Sequence, residues 1–283
     1  MGRKAIIACL SLVVVSCGET GAIVVGSKNF TEQVLLGEIL AQQIELVLKV
    51  PVVRKLDLGG TMLAHEALAQ GSLDLYPEYT GTALTEVLKQ PIAREPQAVL
   101  DAVRERYHRE WKLAWLAPFG FNNTFAMIVR RDAGVSTLSA AAKAQAWRLG
   151  MGYEFRERPD GLDGLLKTYS LRLAGAPVEM DLGLLYSALQ NRKVDLIAAN
   201  STDGLISTLP VSALDDDRHY FPPYQCAVVV RETTLARYPR LRLVLEELSG
   251  KISDATMRRL NYEVDGKHRR AAEVAREFLQ GLR

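Results

Sequence analysis

The side chains with the widest chemical repertoire in this sequence are four histidines, three cysteines and short clusters of carboxylates. The histidines are His65, His108, His219 and His268, and their spacing matches no metal-ligand pattern. No Ser-His-Asp or Cys-His arrangement accompanies them, so the sequence contains no candidate nucleophile. The acidic run at 215–217 is typical of a solvated turn. We therefore predict that the chain is not an enzyme and that it binds neither a metal nor a cofactor.

The cysteines point instead to export and lipidation. A basic start precedes the apolar run Ala5–Val15, which is shorter than the ~20 residues that span a bilayer. This segment resembles a secretory signal peptide, and the small residues before Cys17 look like the lipobox of a bacterial lipoprotein. We expect residues 1–16 to be removed and Cys17 to anchor the protein outside the cytoplasm, in the periplasm or at the cell surface. Only Cys226 would then remain free, and no disulfide is expected.

The elements that must position any site alternate between strand-like and helical patterns, which is typical of α/β layering with largely parallel sheets. Ala22–Gly26 is predicted to be a strand. Asn29 and Glu32 form a capping-box pattern that opens a helix through Leu48. A short strand at 73–75 leads into an aromatic loop at 76–79. Further helices are predicted at 61–70, 97–111, 139–147, 161–169 and 182–191, and further strands at 51–58, 113–116, 125–130, 149–152, 194–199 and 226–230.

Two lobes are predicted from this order of elements. The polar turn at 121–124 marks the first crossing, so the first lobe comprises residues 22–122 and 226–283, and the second lobe comprises residues 123–225. Three helices rich in Arg and Lys end the chain and should return to the first lobe. The net charge of +2 comes from interspersed charges without a basic block, so binding to nucleic acid is not predicted.

Six short motifs then occur in one order along the chain. They are GSKNFTEQ at 26–33, YPEYTGT at 76–82, GFNNT at 120–124, RPDG at 158–161, STDG at 201–204 and FPPY at 221–224. Together they resemble the quaternary-amine-binding proteins of osmoprotectant ABC importers. The resemblance implies a two-lobed type II periplasmic-binding-protein fold with two hinge crossovers and a ligand held between the lobes. It also implies a monomer that works with separate permease and ATPase subunits.

The resemblance assigns an aromatic cage to four positions. A quaternary ammonium has no N–H to donate, so a protein holds it by the negative faces of aromatic rings. The family's cage tyrosines fall on Tyr79, Phe125, Asn200 and Tyr224. Phe125 keeps a ring face without the hydroxyl, whereas Asn200 replaces the fourth wall by an amide. The ligand is thus expected to be a quaternary-ammonium osmolyte such as glycine betaine, choline or carnitine.

The carboxylate of a betaine or carnitine needs hydrogen-bond donors, and the matched positions supply Lys28, Thr82 and Arg158. Charge-assisted bonds of this kind contribute roughly 1.5 to 3 kcal/mol each. Because Lys28 and Arg158 come from opposite lobes, a carboxylate between them would favour closure.

Several alternatives stay open at this point. Tyr79 and Tyr224 could be ordinary packing aromatics, and Arg158 could belong to a surface ion pair with a neighbouring carboxylate. The solute could be a larger trimethylammonium compound with an imidazole tail, because the smaller Asn200 would make room for it. An enzyme or a sensory ectodomain on the same fold is a further alternative, although no catalytic arrangement or downstream membrane segment supports either.

Overall fold

The computed structural model describes residues 21–283. The predicted signal peptide at 1–16 and the predicted lipidation site Cys17 lie outside these residues and stay predictions. Within 21–283, no helix is both long enough and apolar enough to cross a bilayer.

Two mixed five-stranded sheets form the framework of residues 21–283. The strands are β1 (Ile23–Gly26), β2 (Val52–Lys55), β3 (Leu75–Tyr79), β4 (Leu113–Trp115), β5 (Phe125–Arg130), β6 (Leu149–Met151), β7 (Val178–Glu179), β8 (Leu196–Asn200), β9 (Val211–Ala213) and β10 (Cys226–Arg231). The first sheet has the order β2-β1-β3-β10-β4, and the second has the order β7-β6-β8-β5-β9. We call each sheet with its covering helices the first lobe and the second lobe.

Both sheets combine parallel and antiparallel pairs. In the first, β1 is parallel to β2 and β3, while β10 is antiparallel to β3 and β4. In the second, β6 is parallel to β7 and β8, while β5 is antiparallel to β8 and β9. The prediction of largely parallel sheets is therefore wrong at β10 and β5. Each of these strands follows a crossing between the lobes and enters its sheet in the reverse direction.

The helices pack on both faces of the sheets. They are α1 (Thr31–Leu48), α2 (Thr61–Ala69), α3 (Thr80–Thr82), α4 (Pro96–Trp111), α5 (Leu138–Ala144), α6 (Tyr153–Glu157), α7 (Leu162–Tyr169), α8 (Leu185–Gln190), α9 (Glu232–Arg237), α10 (Leu241–Glu246), α11 (Asp254–Asp265) and α12 (Ala271–Gly281). The helix α3 continues into a π-helical turn at Ala83–Val87, and 3-10 turns lie at Arg131–Ala133, Leu182–Leu184 and Gly204–Ser207. Pro96 occupies the first turn of α4, where its missing N–H costs nothing.

Two local predictions are corrected by the fold. The first turn of α1 is not a capping box, since Phe30 is its N-cap residue and makes no side-chain cap hydrogen bond. The side chain of Glu32 instead points into the protein, where its carboxylate accepts hydrogen bonds from distant segments of the chain. The predicted aromatic loop at 76–79 is part of β3, because β10 pairs with the whole of this segment, opposite Pro77 included.

Two segments connect the lobes, one between β4 and β5 and the other between β9 and β10. They touch through a bridge between Asn122 and Gln225, and the backbone N–H of Tyr224 donates to Asn122 Oδ1 at 2.6 Å. This arrangement has the form of the expected pair of crossovers. The boundary residues 122 and 225 stay predictions.

The chain ends in four helices in place of the three predicted. The helices α10 and α12 pack against α1. The helix α11 also contacts the second lobe, because Arg258 Nε donates to the carbonyl of Ser201 at 2.8 Å. A Cβ atom at Gly204 would lie 2.3 Å from the backbone N of Tyr262, so only glycine permits this approach. The end of the chain thus joins the two lobes beside the crossovers.

Candidate ligand-binding site

A cavity of about 300 Å³ lies between the lobes, and all seven predicted ligand-binding residues line it. They are Lys28, Tyr79, Thr82, Phe125, Arg158, Asn200 and Tyr224. Strand ends of the two sheets supply Tyr79, Phe125 and Asn200, and the segment between β9 and β10 supplies Tyr224. The loop before α1 supplies Lys28. Their roles in binding a ligand stay predictions.

Tyr79 forms one wall of this cavity from the end of β3. Its ring stacks on Phe30 with centroids 6.2 Å apart and an interplanar angle of 22°. Its hydroxyl donates to Glu32 Oε1 at 2.7 Å. Burial, reinforced by the nearby Glu32 carboxylate, raises the pKa of Tyr79 well above its usual range, so the phenol stays neutral. The stacking and the hydrogen bond therefore hold the Tyr79 ring in one position in the cavity wall.

Phe125 and Tyr224 form a second pair of walls. Their rings meet edge to face with centroids 5.8 Å apart and an interplanar angle of 82°. Phe155 also packs edge to face on Phe125, with centroids 4.9 Å apart. Phe125 also lies directly opposite Asn200 in the β5–β8 pair, so these two side chains occupy neighbouring places on the sheet. Three aromatic walls are thus present, and an amide stands where the fourth would be.

Lys28 is a buried cation whose charge is already matched. Its Nζ lies 2.7 Å from Glu78 Oε1, and both side chains are almost completely buried. The same Nζ lies 4.8 Å from the centroid of the Tyr79 ring and 3.4 Å from Thr61 Oγ1. Glu78 also accepts a hydrogen bond from the hydroxyl of Tyr76 at 3.0 Å. The ammonium group therefore has a fixed position with N–H donors beside the aromatic wall.

Arg158 is the second buried cation of the site. Its Nε and one terminal nitrogen donate to both oxygens of Asp160, at 2.8 and 2.6 Å. Its other terminal nitrogen donates across the cleft to Thr82 Oγ1 at 3.3 Å. The guanidinium lies over the ring of Phe125, 5.1 Å from its centroid, and Tyr224 donates its hydroxyl to Asp160. The Arg158–Asp160 ion pair thus contacts Phe125 and Tyr224, and through Thr82 it also contacts the first lobe.

Glu32 is a buried carboxylate that joins four segments of the chain. Its oxygens accept hydrogen bonds from Tyr79 and Asn123 at 2.7 and 2.8 Å, and from Thr202 and Asn261 at 2.5 and 3.0 Å. No Lys, Arg or His among residues 21–283 pairs with it. Burial raises the pKa of Glu32, and the four donors oppose that rise. The carboxylate therefore ties β3, the first crossover, the loop after β8 and α11 together behind the ligand cavity.

A contact across the mouth of the cavity involves Glu154 of α6. Its Oε1 accepts the backbone N–H of Thr61 at 2.6 Å, and its Oε2 accepts the hydroxyl of the same residue at 3.3 Å. Thr61 begins α2 of the first lobe, so a carboxylate from one lobe lies at a helix N-terminus of the other. This contact holds the lobes together at the rim.

Several cavity residues were not predicted from the sequence. Phe30, Thr61 and Asn123 line the cavity from the first lobe and crossover, and Glu154 and Phe155 line it from the second lobe. Phe30 and Asn123 stand inside quoted motifs, so an aromatic or amide in a motif was the available signal. For the other three, no local pattern indicated the cleft.

This arrangement of side chains is suited to binding a small solute. Aromatic faces line a cavity into which two buried cations also present N–H donors, so a small solute with a cationic head and a polar end fits it. Among residues 21–283, no three His, Cys, Asp or Glu side chains are grouped to hold a metal ion.

Comparisons with known proteins agree with this geometry. Residues 21–281 match the family described as the substrate-binding domain of the ABC-type glycine betaine transport system. The chain is 35% identical to the ergothioneine transport permease/ergothioneine binding protein EgtU of Helicobacter pylori (strain G27), over 93% of this chain and 48% of that protein. It is 34% identical to the carnitine transport binding protein OpuCC of Listeria monocytogenes serotype 1/2a (strain 10403S), over 90% of this chain and 85% of that protein.

A solved structure described as a glycine betaine/carnitine/choline ABC transporter superposes with a TM-score of 0.78 at 32% identity, covering 92% of this chain and 98% of that one. This likeness confirms the predicted α/β fold with two lobes, the type II periplasmic-binding-protein fold. The chain spans about half the length of the Helicobacter relative, whose name includes a permease.

Proposed function

Because the chain belongs to the family of substrate-binding domains of ABC-type glycine betaine transport systems, we propose that it binds a small quaternary-ammonium solute between its lobes and presents it to an importer. The family assignment confirms the resemblance predicted from the six motifs. Proteins of this family work with permease and ATPase components, and its relatives here are named as binding proteins in transport.

The observation that carries the proposal is the set of aromatic faces around the cavity. Tyr79, Phe125 and Tyr224 are brought together from β3, β5 and the second crossover, although they are far apart in the sequence. A trimethylammonium group has no hydrogen-bond donor and gains roughly 0.5 to 2 kcal/mol from each ring face it contacts. The donors of Lys28, Thr82 and Arg158 then serve the polar end of glycine betaine or carnitine.

A second solute class is favoured by one specific feature. Asn200 replaces an aromatic wall and leaves room for a longer molecule, and one relative at 35% identity is named as an ergothioneine binding protein. A trimethylammonium compound with an imidazole-type tail is therefore the alternative ligand within the same transport role.

Titration calorimetry of the purified protein tests the head-group proposal. Glycine betaine, choline, carnitine and ergothioneine are compared with proline, which has no quaternary nitrogen. We expect at least one quaternary ligand to bind at least about tenfold more tightly than proline. Absence of binding by all four quaternary ligands would refute the proposal.

A matched pair of variants tests the role of the aromatic face itself. Phe125→Leu removes the ring at similar bulk and should weaken quaternary ligands by roughly 2- to 30-fold, whereas Phe125→Tyr keeps the face and should not. Equal affinities of the two variants would mean that Phe125 serves only in packing.

A further proposal concerns attachment to the membrane and rests on the sequence before residue 21. We propose that Cys17 carries a lipid anchor and that the anchored protein acts as a monomer outside the cytoplasm. Mass spectrometry of the protein purified from membranes should show Cys17 as an acylated mature N-terminus, which Cys17→Ser should lose, and light scattering should give the mass of one chain. An unmodified Cys17 in the membrane-purified protein would refute the anchor.

A further inference from the structure

Each tyrosine among the aromatic walls donates its hydroxyl to a buried carboxylate. Tyr79 donates to Glu32 Oε1 at 2.7 Å, and Tyr224 donates to Asp160 Oδ2. Both carboxylates are almost completely buried, and neither lines the ligand cavity. Glu32 and Asp160 therefore lie behind the two rings, and they act on a ligand in the cavity without contacting it.

The charges around the two carboxylates differ. Asp160 is neutralised by Arg158, whose nitrogens donate to both of its oxygens at 2.8 and 2.6 Å. Glu32 has no such partner, because no Lys, Arg or His among residues 21–283 lies within 4.0 Å of its carboxylate. The wall formed by Tyr79 thus has an unbalanced negative charge behind it, whereas the wall formed by Tyr224 has a neutral pair.

The lysine beside Tyr79 does not cancel the charge of Glu32. Lys28 Nζ lies 4.8 Å from the centroid of the Tyr79 ring, but it forms an ion pair with Glu78 Oε1 at 2.7 Å. Both side chains of this pair are almost completely buried, so each charge balances the other. The three charged groups around the ring therefore sum to one negative charge, which is that of Glu32.

The hydrogen bonds to Glu32 favour its charged form. Oε1 accepts from the hydroxyl of Tyr79 and the amide of Asn123, and Oε2 accepts from the hydroxyl of Thr202 and the amide of Asn261. Four donors use the lone pairs that only an ionised carboxylate offers in full. Burial raises the pKa of Glu32, and these same hydrogen bonds oppose the rise.

A carboxylate at its hydroxyl makes a tyrosine ring more attractive to a cation. The attraction between a cation and a ring is electrostatic and arises from the negative face of the ring. A hydrogen bond from the phenol to a carboxylate polarises the phenol and increases the electron density of the ring. This effect favours a positively charged head group and gives no comparable gain to a neutral group of the same shape. Phe125 has no hydroxyl and cannot be polarised in this way.

We propose that Glu32 is a specificity-determining residue, which through its hydrogen bond to Tyr79 makes the cavity select a cationic head group over a neutral group of equal size. The proposal rests on the proposed function, which places a trimethylammonium head against Tyr79. Glu32 acts through Tyr79 and is therefore a positioning residue that does not touch the ligand. Asp160 contributes less to this selection, because Arg158 balances its charge.

Two alcohols of one shape test the role of Glu32. They are choline and dimethylbutanol, in which carbon replaces the quaternary nitrogen, and displacement calorimetry at pH 8 measures both affinities. Glu32→Gln keeps the size and an acceptor oxygen but removes the charge, so the ratio of choline to dimethylbutanol affinity should fall at least about fivefold. Glu45→Gln, on the same helix but outside the cavity, should leave the ratio unchanged. An equal loss for both alcohols in Glu32→Gln would mean that Glu32 only supports the structure, and would overturn the proposal.

A second pair of variants keeps both carboxylates and both rings. Tyr79→Phe removes the hydroxyl that donates to the unbalanced Glu32, and Tyr224→Phe removes the one that donates to the neutralised Asp160. The ratio should fall at least about twofold in Tyr79→Phe and by a smaller factor in Tyr224→Phe. An equal or larger fall in Tyr224→Phe would overturn the proposal.

The choline affinity alone separates failure of this proposal from failure of the proposed function. Choline binding that is as tight in a folded Glu32→Gln protein as in the wild type would refute the role of Glu32 and leave the proposed function standing. If the wild-type protein binds neither choline nor glycine betaine nor carnitine nor ergothioneine, the proposed function itself fails.

Discussion

Restoring the missing wall by Asn200→Tyr should have opposite effects on short and long ligands. Asn200 is the last residue of β8 and lies directly opposite Phe125 of β5, so a tyrosine there would stand beside the phenyl ring on the same face of the sheet. Its backbone N–H would still donate to Asp203 Oδ2, because that bond does not involve the side chain. The substitution thus adds a ring while the strand stays in place.

The size of the effect follows from the number of walls. A fourth ring face contributes roughly 0.5 to 2 kcal/mol to a trimethylammonium group, which is about a 2- to 30-fold gain in affinity for glycine betaine. The same ring fills the space that Asn200 leaves beside the aromatic rings, so binding of ergothioneine should weaken by about tenfold or more. Calorimetry at pH 8 measures both, and Asn191→Tyr, at an exposed position of the same lobe, is the control. A glycine betaine affinity equal to that of the wild type would refute the reasoning that position 200 is a missing wall.

Three further changes test the polar framework. Arg158→Ala leaves the Asp160 carboxylate buried without its cation. With saturating choline present, this variant should lower the free energy of unfolding by about 3 to 5 kcal/mol. The control Arg156→Ala, which removes an exposed surface ion pair, should lower it by at most about 1 kcal/mol. Equal thermal melting of the two variants would contradict this. Glu32→Ala leaves four donors without their acceptor and should cost at least about 3 kcal/mol in urea unfolding, and a loss below about 1 kcal/mol would show that water replaces the carboxylate. Burial raises the pKa of Asp203 from 3.8 to about 7, so between these pH values the folded wild-type protein binds more protons than the unfolded chain. The wild-type protein therefore loses stability as the pH rises through this range. The stability of Asp203→Asn relative to wild type should accordingly increase between pH 5 and pH 8. Parallel pH profiles would contradict that assignment.

The sequence predicted most elements because their signals are local. The helices α1 and α4 and the strands β5 and β10 lie within about one residue of their predicted bounds, since apolar periodicity and turn residues mark them. The prediction of a loop at 76–79 was wrong, because Pro77 favours a loop locally. Its strand conformation depends on pairing with β10, which lies about 150 residues later in the chain.

Glu32 shows why local patterns misplace polar side chains. Three residues after Asn29 it has the spacing of a capping box, yet donors from residues 79, 123, 202 and 261 converge on it in the fold. A carboxylate at the start of a helix can serve either arrangement, and only the tertiary structure decides between them. The ion-pair partner of Lys28 could not be predicted from local sequence either, because Glu78 lies 50 residues away in the chain. The pairing of Arg158 with Asp160 was predictable, because the two residues are only two positions apart.

The two ion pairs determine how the site distinguishes ligands by charge. Lys28 and Arg158 are each neutralised by a carboxylate, whereas Glu154 and Asp181 on the cavity wall have no cationic partner among residues 21–283. A betaine carboxylate therefore meets fixed N–H donors without an excess of positive charge, and a cation such as choline meets a negative field. Glycine betaine affinity should change by less than about twofold when the salt concentration is raised tenfold, while choline affinity should fall several-fold, because screening acts on the net charge of the ligand. Calorimetry at low and high salt checks this, and a steep salt dependence for glycine betaine with none for choline would mean that the two buried cations act as free charges.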